Sequence, residues 1–214
     1  MRKTKTASQN QPRSAKVDSG KLAHENALLR AEISRLRVAM TVQQKEIETL
    51  QAHAVQDALL PVLNRRGFVA EIARAFSFCA RYRMPATLIY CDLDNFKMIN
   101  DTHGHEAGDR VLMHAVMVLQ SGIRRSDILG RLGGDEFAIL LWNANAELGH
   151  AKAEELKLLI GESVCETPAG PLRMSLSCGV AQLRPEELPE QLVARADAAM
   201  YEDKRARRAS LVAV

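Results

Sequence analysis

The sequence predicts an α+β domain preceded by one long N-terminal helix. Over residues 57–209, helix-length amphipathic segments alternate with short apolar runs that favour strands, and two of these strands form a hairpin. Before them, over residues 21–56, apolar residues recur at heptad spacing. The chain has 214 residues, of which 47% are hydrophobic and 26% charged, which suits one domain with an appendage.

The two ends of the chain read as tails. Residues 1–20 are rich in Lys, Ser, Gln and Pro and predict a disordered basic tail, and residues 210–214 form a short C-terminal tail. The formal net charge of +3 is gathered near the ends. With only 4% aromatic residues to stack on bases, this charge does not favour nucleic-acid binding.

The cysteines and the hydropathy pattern indicate a soluble, cytoplasmic protein. The four cysteines form no CxxC pair and read as reduced, buried thiols. No apolar run approaches the ~20 residues of a membrane span, and the polar N-terminus lacks a signal-peptide core. We expect no membrane partner.

The heptads of residues 21–56 predict a parallel dimeric coiled coil, the stalk. Glu25 and Glu32 at g match Arg30 and Arg37 at e of a partner helix, and Asn26 at a favours an in-register pair. The alternative is one amphipathic helix packed on its own domain. The stalk also offers a surface to a protein partner. The a positions are Asn26, Ile33, Met40, Ile47 and Ala54, and the d positions are Leu22, Leu29, Leu36, Gln43 and Leu50.

Leu60-Pro61 breaks the helical pattern, since Pro61 cannot continue a helix without a kink. The domain that follows has ten predicted helices and strands. They are helix 65–82, strand 86–93, short helix 95–101, helix 105–123, strands 127–132 and 136–142, helix 146–163, strand 172–182, and two helices, 188–199 and 199–208.

The hairpin carries two adjacent carboxylates in its turn, Gly133-Gly134-Asp135-Glu136. Glycine supplies positive φ and Asp favours turns, so a solvated turn is the simplest interpretation. A second carboxylate group, Asp92-Leu93-Asp94, ends the apolar strand 86–93. Where the two groups meet, they would suit a hard cation such as Mg²⁺, whose charge cancels their repulsion.

Other polar residues nearby suit a nucleoside triphosphate. Lys97 follows the strand by one helical turn and could meet phosphate, while Asn100 and Asp109 suit the edge of a purine, with guanine N–H groups facing Asp109. Gly104 to Asp109 form neither a P-loop nor a GxGxxG fingerprint. His103 and His105 could form a metal pair, but without further His or Cys ligands a structural role is favoured.

With these motifs in place, residues 57–209 resemble the GGDEF-domain family of bacterial diguanylate cyclases, which condense two GTP molecules into cyclic di-GMP. The resemblance implies a palm-like sheet related to adenylyl cyclase catalytic domains. The matching residues are Asn64-Arg65-Arg66 with Phe68, Asp92-Leu93-Asp94 with Phe96-Lys97, Ile99-Asn100-Asp101, Gly104-His105, Gly108-Asp109, Arg131, Gly133 to Phe137, Ser177 with Gly179, and Ala199, Tyr201 and Lys204.

The resemblance also implies roles for single residues. Two Mg²⁺ ions per site, or Mn²⁺ in their place, would be held by Asp92, Asp135, Glu136 and the Leu93 carbonyl. Glu136 would alternatively help to deprotonate the attacking 3′-hydroxyl, and Asp135 and Lys97 complete the catalytic set. The substrate-binding residues would be Phe96, Asn100, Asp109, Gly133, Gly134, Lys204 and Arg208. Each domain would hold one GTP, so two domains must face each other in a homodimer.

Arg124 and Asp127 have the RxxD spacing of the family's inhibitory product site, and a surface ion pair is the simpler alternative. The sequence departs from the family at Leu60-Pro61, where Thr-Gly is usual, and at Arg207-Arg208-Ala209, where Gly-Arg-Asn is usual. Two rivals to a cyclase remain open: a non-enzymatic effector that binds GTP or cyclic di-GMP, and a coiled-coil scaffold.

Overall fold

The computed structural model describes residues 19–212, with side chains described over 21–45 and 55–207. Residues 1–18 of the predicted N-terminal tail lie outside the described residues, and of the predicted tail 210–214 the described residues 210–212 are helical instead. The chain divides after Thr49 into two compact units. Among the described residues, no helix combines the length and the apolar character needed to cross a membrane.

Helix α1 spans Ser19–Val55, close to the predicted 21–56. From Lys21 to Lys45 every side chain is exposed, including the apolar a and d residues in that range. Asn26 Nδ2 donates to Leu22 O at 2.9 Å, so within one chain it bonds to its own helix. The seam residues Ile47, Leu50 and Ala54 have side chains outside the described set.

The second unit is built on a four-stranded antiparallel sheet. Its strands are β1 (Ala86–Leu93), β2 (Ile128–Arg131), β3 (Glu136–Trp142) and β6 (Leu176–Gln182), in the order β2-β3-β1-β6. Strands β1 and β3 match the prediction, and β2 is shorter than the predicted 127–132. Residues of β1 alternate between the two faces, and both faces are buried because helices cover each of them.

Five helices surround the sheet, and four of them form the two covering layers. One layer, α4 and α5, packs on the β1 face that carries Ile89 and Leu93, and the other, α2 and α6, packs on the face that carries Leu88 and Tyr90. The helices are α2 (Arg65–Tyr82), α3 (Phe96–His103), α4 (His105–Ser121), α5 (Ala146–Glu162) and α6 (Pro189–Val212). The bounds of α2 agree with the prediction, and those of α3, α4 and α5 agree within two residues.

Two predictions about the C-terminal third were wrong. The predicted strand 172–182 is two strands, because residues 170–173 form β5 (Gly170–Arg173) and pair with an unpredicted strand, β4 (Val164–Thr167), whereas β6 pairs with β1. The two helices predicted at 188–199 and 199–208 are the single helix α6. No Pro or Gly follows Pro189 in this segment, so nothing in the sequence interrupts the helix.

Candidate active site

The two carboxylate groups meet at one end of the central strands, as the sequence predicted. In the antiparallel register Asp92 lies directly opposite Glu136. Leu93 N donates to Asp135 O at 3.1 Å, which extends the pairing of the two segments past the strand end. Three carboxylate residues therefore lie together at the edge of the sheet where β1 ends and β3 begins: Asp92, Asp135 and Glu136.

Asp92 is the most buried of these carboxylates, with 7% of its surface exposed. Lys204 Nζ, on α6, donates to Asp92 Oδ1, and this pair ties α6 to the end of β1. Burial raises the pKa of the Asp92 carboxyl, the Lys204 ammonium opposes that shift, and the charges of Asp135 and Asp94 add to it. The edge thus carries an excess of negative charge that one lysine only partly offsets.

The turn between β2 and β3 differs from the prediction in one respect. Neither Gly133 nor Gly134 has a positive φ, so left-handed backbone is not what these glycines supply. A Cβ at Gly133 would overlap Glu136 Oε2 and lie 3.0 Å from its Cδ. Gly133 therefore lets the Glu136 side chain fold over the turn, while a Cβ at Gly134 would meet open space.

Glu136 also influences the strand beside it. Burial raises the pKa of the Tyr90 phenol, and the negative charges of Glu136 and Asp197 raise it further, with a side-chain hydrogen bond to Glu136 as an additional cause. Tyr90 and Glu136 lie on the same face of neighbouring strands, because the register places Tyr90 opposite Ala138 and Asp92 opposite Glu136. Tyr90 thus stays a neutral phenol next to the Glu136 carboxylate.

Arg131 holds the turn through hydrogen bonds to its backbone carbonyls, a contact that the sequence did not predict. Arg131 donates from Nε to Gly133 O at 3.0 Å and from Nη2 to Gly134 O at 2.7 Å. Its Nη1 binds Asp57 Oδ1 at 3.2 Å, and Asp57 Oδ1 also accepts the N–H groups of Leu59 and Leu60 at 3.0 Å. The signal in the sequence was Asp57 itself, a turn-capping residue placed between the end of a helix and Leu60-Pro61.

The Leu60-Pro61 segment connects the Arg131–Asp57 ion pair to the core. Leu60 is 3% exposed and packs in the main core cluster, so the residue that departs from the family pattern is a packing residue here. Val55 O and Gln56 O both accept hydrogen bonds from Asn64, at 2.9 Å each. The segment just after α1 is therefore hydrogen-bonded to the start of α2.

Asp94 has a separate set of partners. Ser175 Oγ donates to its Oδ2 at 2.8 Å and Ser177 Oγ donates to its Oδ1 at 2.7 Å. Asp94 N also donates to Ser175 O at 3.0 Å. Asp94 thus ties the end of β1 to the start of β6 and leaves Asp92 as the carboxylate that faces Lys204.

A cavity of about 380 Å³ opens beside this edge. Asp135, Lys97 and Lys204 line it together, so the structure brings together both lysines expected to meet phosphate. Phe96 lines the same cavity at the start of α3. The described side chains stop at Arg207, so the expected role of Arg208 lies outside the described side chains. The remaining lining residues are Asn95, Met98 and Asp101.

The two residues predicted to read a purine are also neighbours. Gly104, with φ +83°, connects α3 directly to α4, which folds back along it. A Cβ at Gly108 would overlap Asn100 Oδ1 and lie 3.3 Å from Phe96 Cζ. The bare backbone at Gly108 therefore lets Asn100 approach the first turn of α4, one residue before the exposed Asp109.

The carboxylates do not form a closed metal site as they stand. Over the described residues, no group of three or more His, Cys, Asp or Glu side chains is close enough to hold an ion, and this includes His103 and His105. The donor set still fits a hard cation, because it is made of carboxylate oxygens with a shortage of compensating charge. The four cysteines are free and buried, as expected.

The RxxD residues form a tight turn just before β2. Asp127 Oδ2 accepts Arg124 N at 3.0 Å, its Oδ1 accepts Trp142 N at 3.2 Å, and Asp127 N donates to Arg124 O at 2.9 Å. The Arg124 side chain is exposed, and among the described residues it has no ion pair with Asp127. The surface ion pair weighed from the sequence is thus not the observed arrangement.

Comparison with known proteins agrees with this geometry. The family model "Diguanylate cyclase, GGDEF domain" matches residues 54–210. The chain is 36% identical over 161 residues to the probable diguanylate cyclase DgcC of Escherichia coli, which covers 74% of this chain and 43% of DgcC. It is 35% identical over 201 residues to the diguanylate cyclase TpbB of Pseudomonas aeruginosa, covering 84% of this chain and 44% of TpbB. The chain thus spans less than half the length of these relatives.

A solved structure resembles both parts of the chain. The coiled coil and GGDEF domain of DgcB from Caulobacter crescentus, in complex with c-di-GMP, superposes with a TM-score of 0.72 at 28% identity, covering 86% of this chain and 95% of that one. The family match covers well over half of the sequence, and its defining turn lies opposite Asp92. The chain belongs to the GGDEF family of diguanylate cyclase domains.

Proposed function

We propose that the protein is a diguanylate cyclase that condenses two GTP molecules into cyclic di-GMP. The observation that carries the proposal is the register that sets Asp92 opposite Glu136, with Asp135 beside them and Lys204 bound to Asp92. A protein that only binds nucleotide has no need for three carboxylates at one strand end. The relatives named as diguanylate cyclases support the same function.

Divalent cations fit the donor set of this edge. Asp92, Asp135, Glu136 and the Leu93 carbonyl would hold two Mg²⁺ ions, with Mn²⁺ as an alternative. The ions would supply positive charge where the reacting phosphate gains negative charge. Burial, and to a smaller extent the charges of Asp135 and Asp94, raise the pKa of Asp92, and a cation bound there would favour its charged form.

The protein's own residues bind and orient the substrate. Lys97 and Lys204 line the cavity and would neutralise the phosphates of GTP, with Arg208 as a further expected contact. Phe96, Asn100 and Asp109 would hold the guanine, with the Asp109 carboxylate accepting guanine N–H groups. Gly133 and Gly134 would let the phosphates approach the turn backbone. Glu136 would accept the proton of the 3′-hydroxyl that attacks the α-phosphate of the other GTP.

Each site holds one GTP, so two sites must face each other across a two-fold axis. We propose that α1 pairs with α1 of a second copy as a parallel coiled coil. The exposed a and d side chains and the g/e charge pattern support this, as does the coiled coil of DgcB. Tethering two domains in this way raises their effective concentration relative to each other.

The product is also a candidate inhibitor. The exposed Arg124 guanidinium can bind a phosphate or the Hoogsteen edge of guanine, and Asp127 fixes the turn that presents it. The DgcB structure holds c-di-GMP, which shows that a related protein binds this compound. We propose that Arg124 and Asp127 form an inhibitory product site.

One assay separates the cyclase from its two rivals. Purified full-length protein is incubated with GTP and Mg²⁺, and the nucleotides are resolved by chromatography. Cyclic di-GMP is the expected product, whereas bound but unchanged GTP would indicate an effector and no nucleotide binding would indicate a scaffold. The Glu136→Gln variant keeps the shape of the side chain and should lose turnover by roughly a thousandfold with an unchanged melting temperature.

A further inference from the structure

Asp203, the residue before Lys204, joins three elements of the domain. Its Oδ2 accepts the backbone N–H of Cys178 in β6 at 3.0 Å. Lys157 Nζ, on α5, donates to the two carboxylate oxygens at 3.2 and 3.4 Å. A single carboxylate on α6 therefore contacts the edge strand of the sheet and the neighbouring helix.

The Cys178 N–H can donate this hydrogen bond to Asp203 because of its place in the sheet. At the two ends of the β1–β6 pairing, Asp94 N donates to Ser175 O and Leu183 N donates to Ala86 O. Ser175 and Leu183 therefore face β1, and both lie an odd number of residues from Cys178. In an antiparallel pair, successive residues of one strand point their N–H and C=O groups alternately towards and away from the other strand. The Cys178 N–H therefore points away from β1. Since β6 is an edge strand, no other strand can bond it, and Asp203 does so instead.

The Lys157 end of the contact is a desolvated ion pair. The Lys157 side chain is only 9% exposed, and its Nζ also binds Glu154 Oε1 at 2.5 Å. Burial lowers the pKa of Lys157, but hydrogen bonds to Glu154 and Asp203 outweigh it and raise the pKa above the ordinary value. Lys157 thus stays charged. Arg207 Nε lies 3.6 Å from Asp203 Oδ2, which adds a second cation to the same carboxylate.

We propose that Lys157 and Asp203 are positioning residues that hold Lys204 against Asp92 for the cyclase reaction. The inference rests on the proposed function of the site. A lysine side chain has four flexible carbons, so the place of its ammonium depends on where its backbone is fixed. Asp203 fixes the adjacent residue against rotation and sliding of α6 on the sheet, because its carboxylate is bonded to both β6 and α5.

The test is a double-mutant cycle in the full-length protein. Lys157→Met and Asp203→Ala should each lower kcat/KM for GTP by about tenfold to a hundredfold, the range that a misplaced charged group produces. Lys157→Arg should restore most of the loss, because it keeps the charge. In a protein that already carries Lys204→Met, Lys157→Met should not lower kcat/KM further, because Lys157 affects the reaction only through Lys204.

Two further measurements separate positioning from general stability. Glu187→Gln breaks an ion pair of similar burial, Arg195–Glu187, near the start of the same helix and should leave kcat/KM unchanged. Hydrogen exchange of the Cys178 amide should speed up in Asp203→Ala but not in Asp203→Asn, whose amide oxygen still accepts the bond.

The outcomes are distinguishable. An equal loss from Lys157→Met with and without Lys204, or an equal loss from Glu187→Gln, would overturn the positioning role. Unchanged Cys178 exchange in Asp203→Ala would overturn the anchoring itself. If the wild-type protein makes no cyclic di-GMP, the proposed function fails, and the exchange data alone then support or overturn the anchor.

Discussion

Gly108→Ala separates the substrate role of the α3–α4 pair from its structural role. Gly108 lies inside α4 without a positive φ, so alanine suits the backbone there. Alanine in a helix interior is favoured over glycine by about 1 kcal/mol. The added Cβ would overlap Asn100 Oδ1 and lie 2.9 Å from its Cγ, and the Asn100 side chain can swing away at small cost. We therefore expect a melting temperature equal to or above that of the wild type.

The same displacement should damage GTP binding. If Asn100 donates to or accepts from guanine, moving its amide removes that hydrogen bond and leaves a polar group unpaired, a loss of about 1–3 kcal/mol. This corresponds to a KM for GTP raised about fivefold to about 150-fold, with kcat less affected. The assay is steady-state formation of cyclic di-GMP over a range of GTP concentrations, with a thermal melt of each protein.

Gly161→Ala is the matched control. Gly161 lies in α5, where an added Cβ would meet nothing within 4 Å, so helix propensity changes alone. Its KM should stay at the wild-type value. An equal KM in both variants would refute the reasoning that Asn100 contacts the base, and a collapsed melting temperature for Gly108→Ala would refute the claim that Asn100 can move cheaply.

Three further predictions follow from other parts of the chain. Arg124→Ala should weaken inhibition by added cyclic di-GMP several-fold while leaving the initial rate unchanged, and inhibition curves equal to the wild type would leave the turn a purely structural element. A protein beginning at Leu50, which keeps the hydrogen bonds from Asn64 to residues 55 and 56, should be monomeric and regain activity only at high protein concentration, whereas full activity at dilute concentration would contradict the tethering role. The Arg195 hydrogen bonds lower the pKa of Glu187, so the stabilising effect of this ion pair is present above the ordinary carboxyl pKa and is lost as the pH falls through the lowered pKa. Glu187→Gln should cost about 1 kcal/mol in a melt at pH 7, and this deficit should shrink as the pH falls below the ordinary carboxyl pKa; a deficit that does not change with pH would exclude this pair as the cause.

The sequence was most informative where local patterns decide the structure. The apolar run before Asp92 and the amphipathic segment of α2 gave bounds that the structure confirms, because periodicity and flanking residues are local signals. The clearest failure involves a distant pairing as well as a missed local turn. The alternation of β5 continues into β6, but only β6 pairs with the distant strand β1, whereas β5 pairs with β4 across the turn at Pro168 to Gly170, a signal that the prediction passed over.

The same division holds for the site. The motifs around Asp92 and Glu136 predicted that these two residues meet, and the register places them opposite each other. The supporting contacts could not be predicted, because Asp57–Arg131 and Lys157–Asp203 join residues that are far apart in the chain. The positive φ expected at Gly133 was wrong, and its lack of a side chain instead makes room for Glu136, a contact that only the folded turn shows.

The most direct test of the central claim is the ratio of pyrophosphate to cyclic di-GMP formed from GTP and Mg²⁺ by the full-length protein. If two GTP molecules are joined at their α-phosphates, two pyrophosphates must appear for each cyclic di-GMP, and both products must vanish in Glu136→Gln. Inorganic phosphate in place of pyrophosphate, pyrophosphate without the cyclic dinucleotide, or a Glu136→Gln variant as active as the wild type would contradict the account.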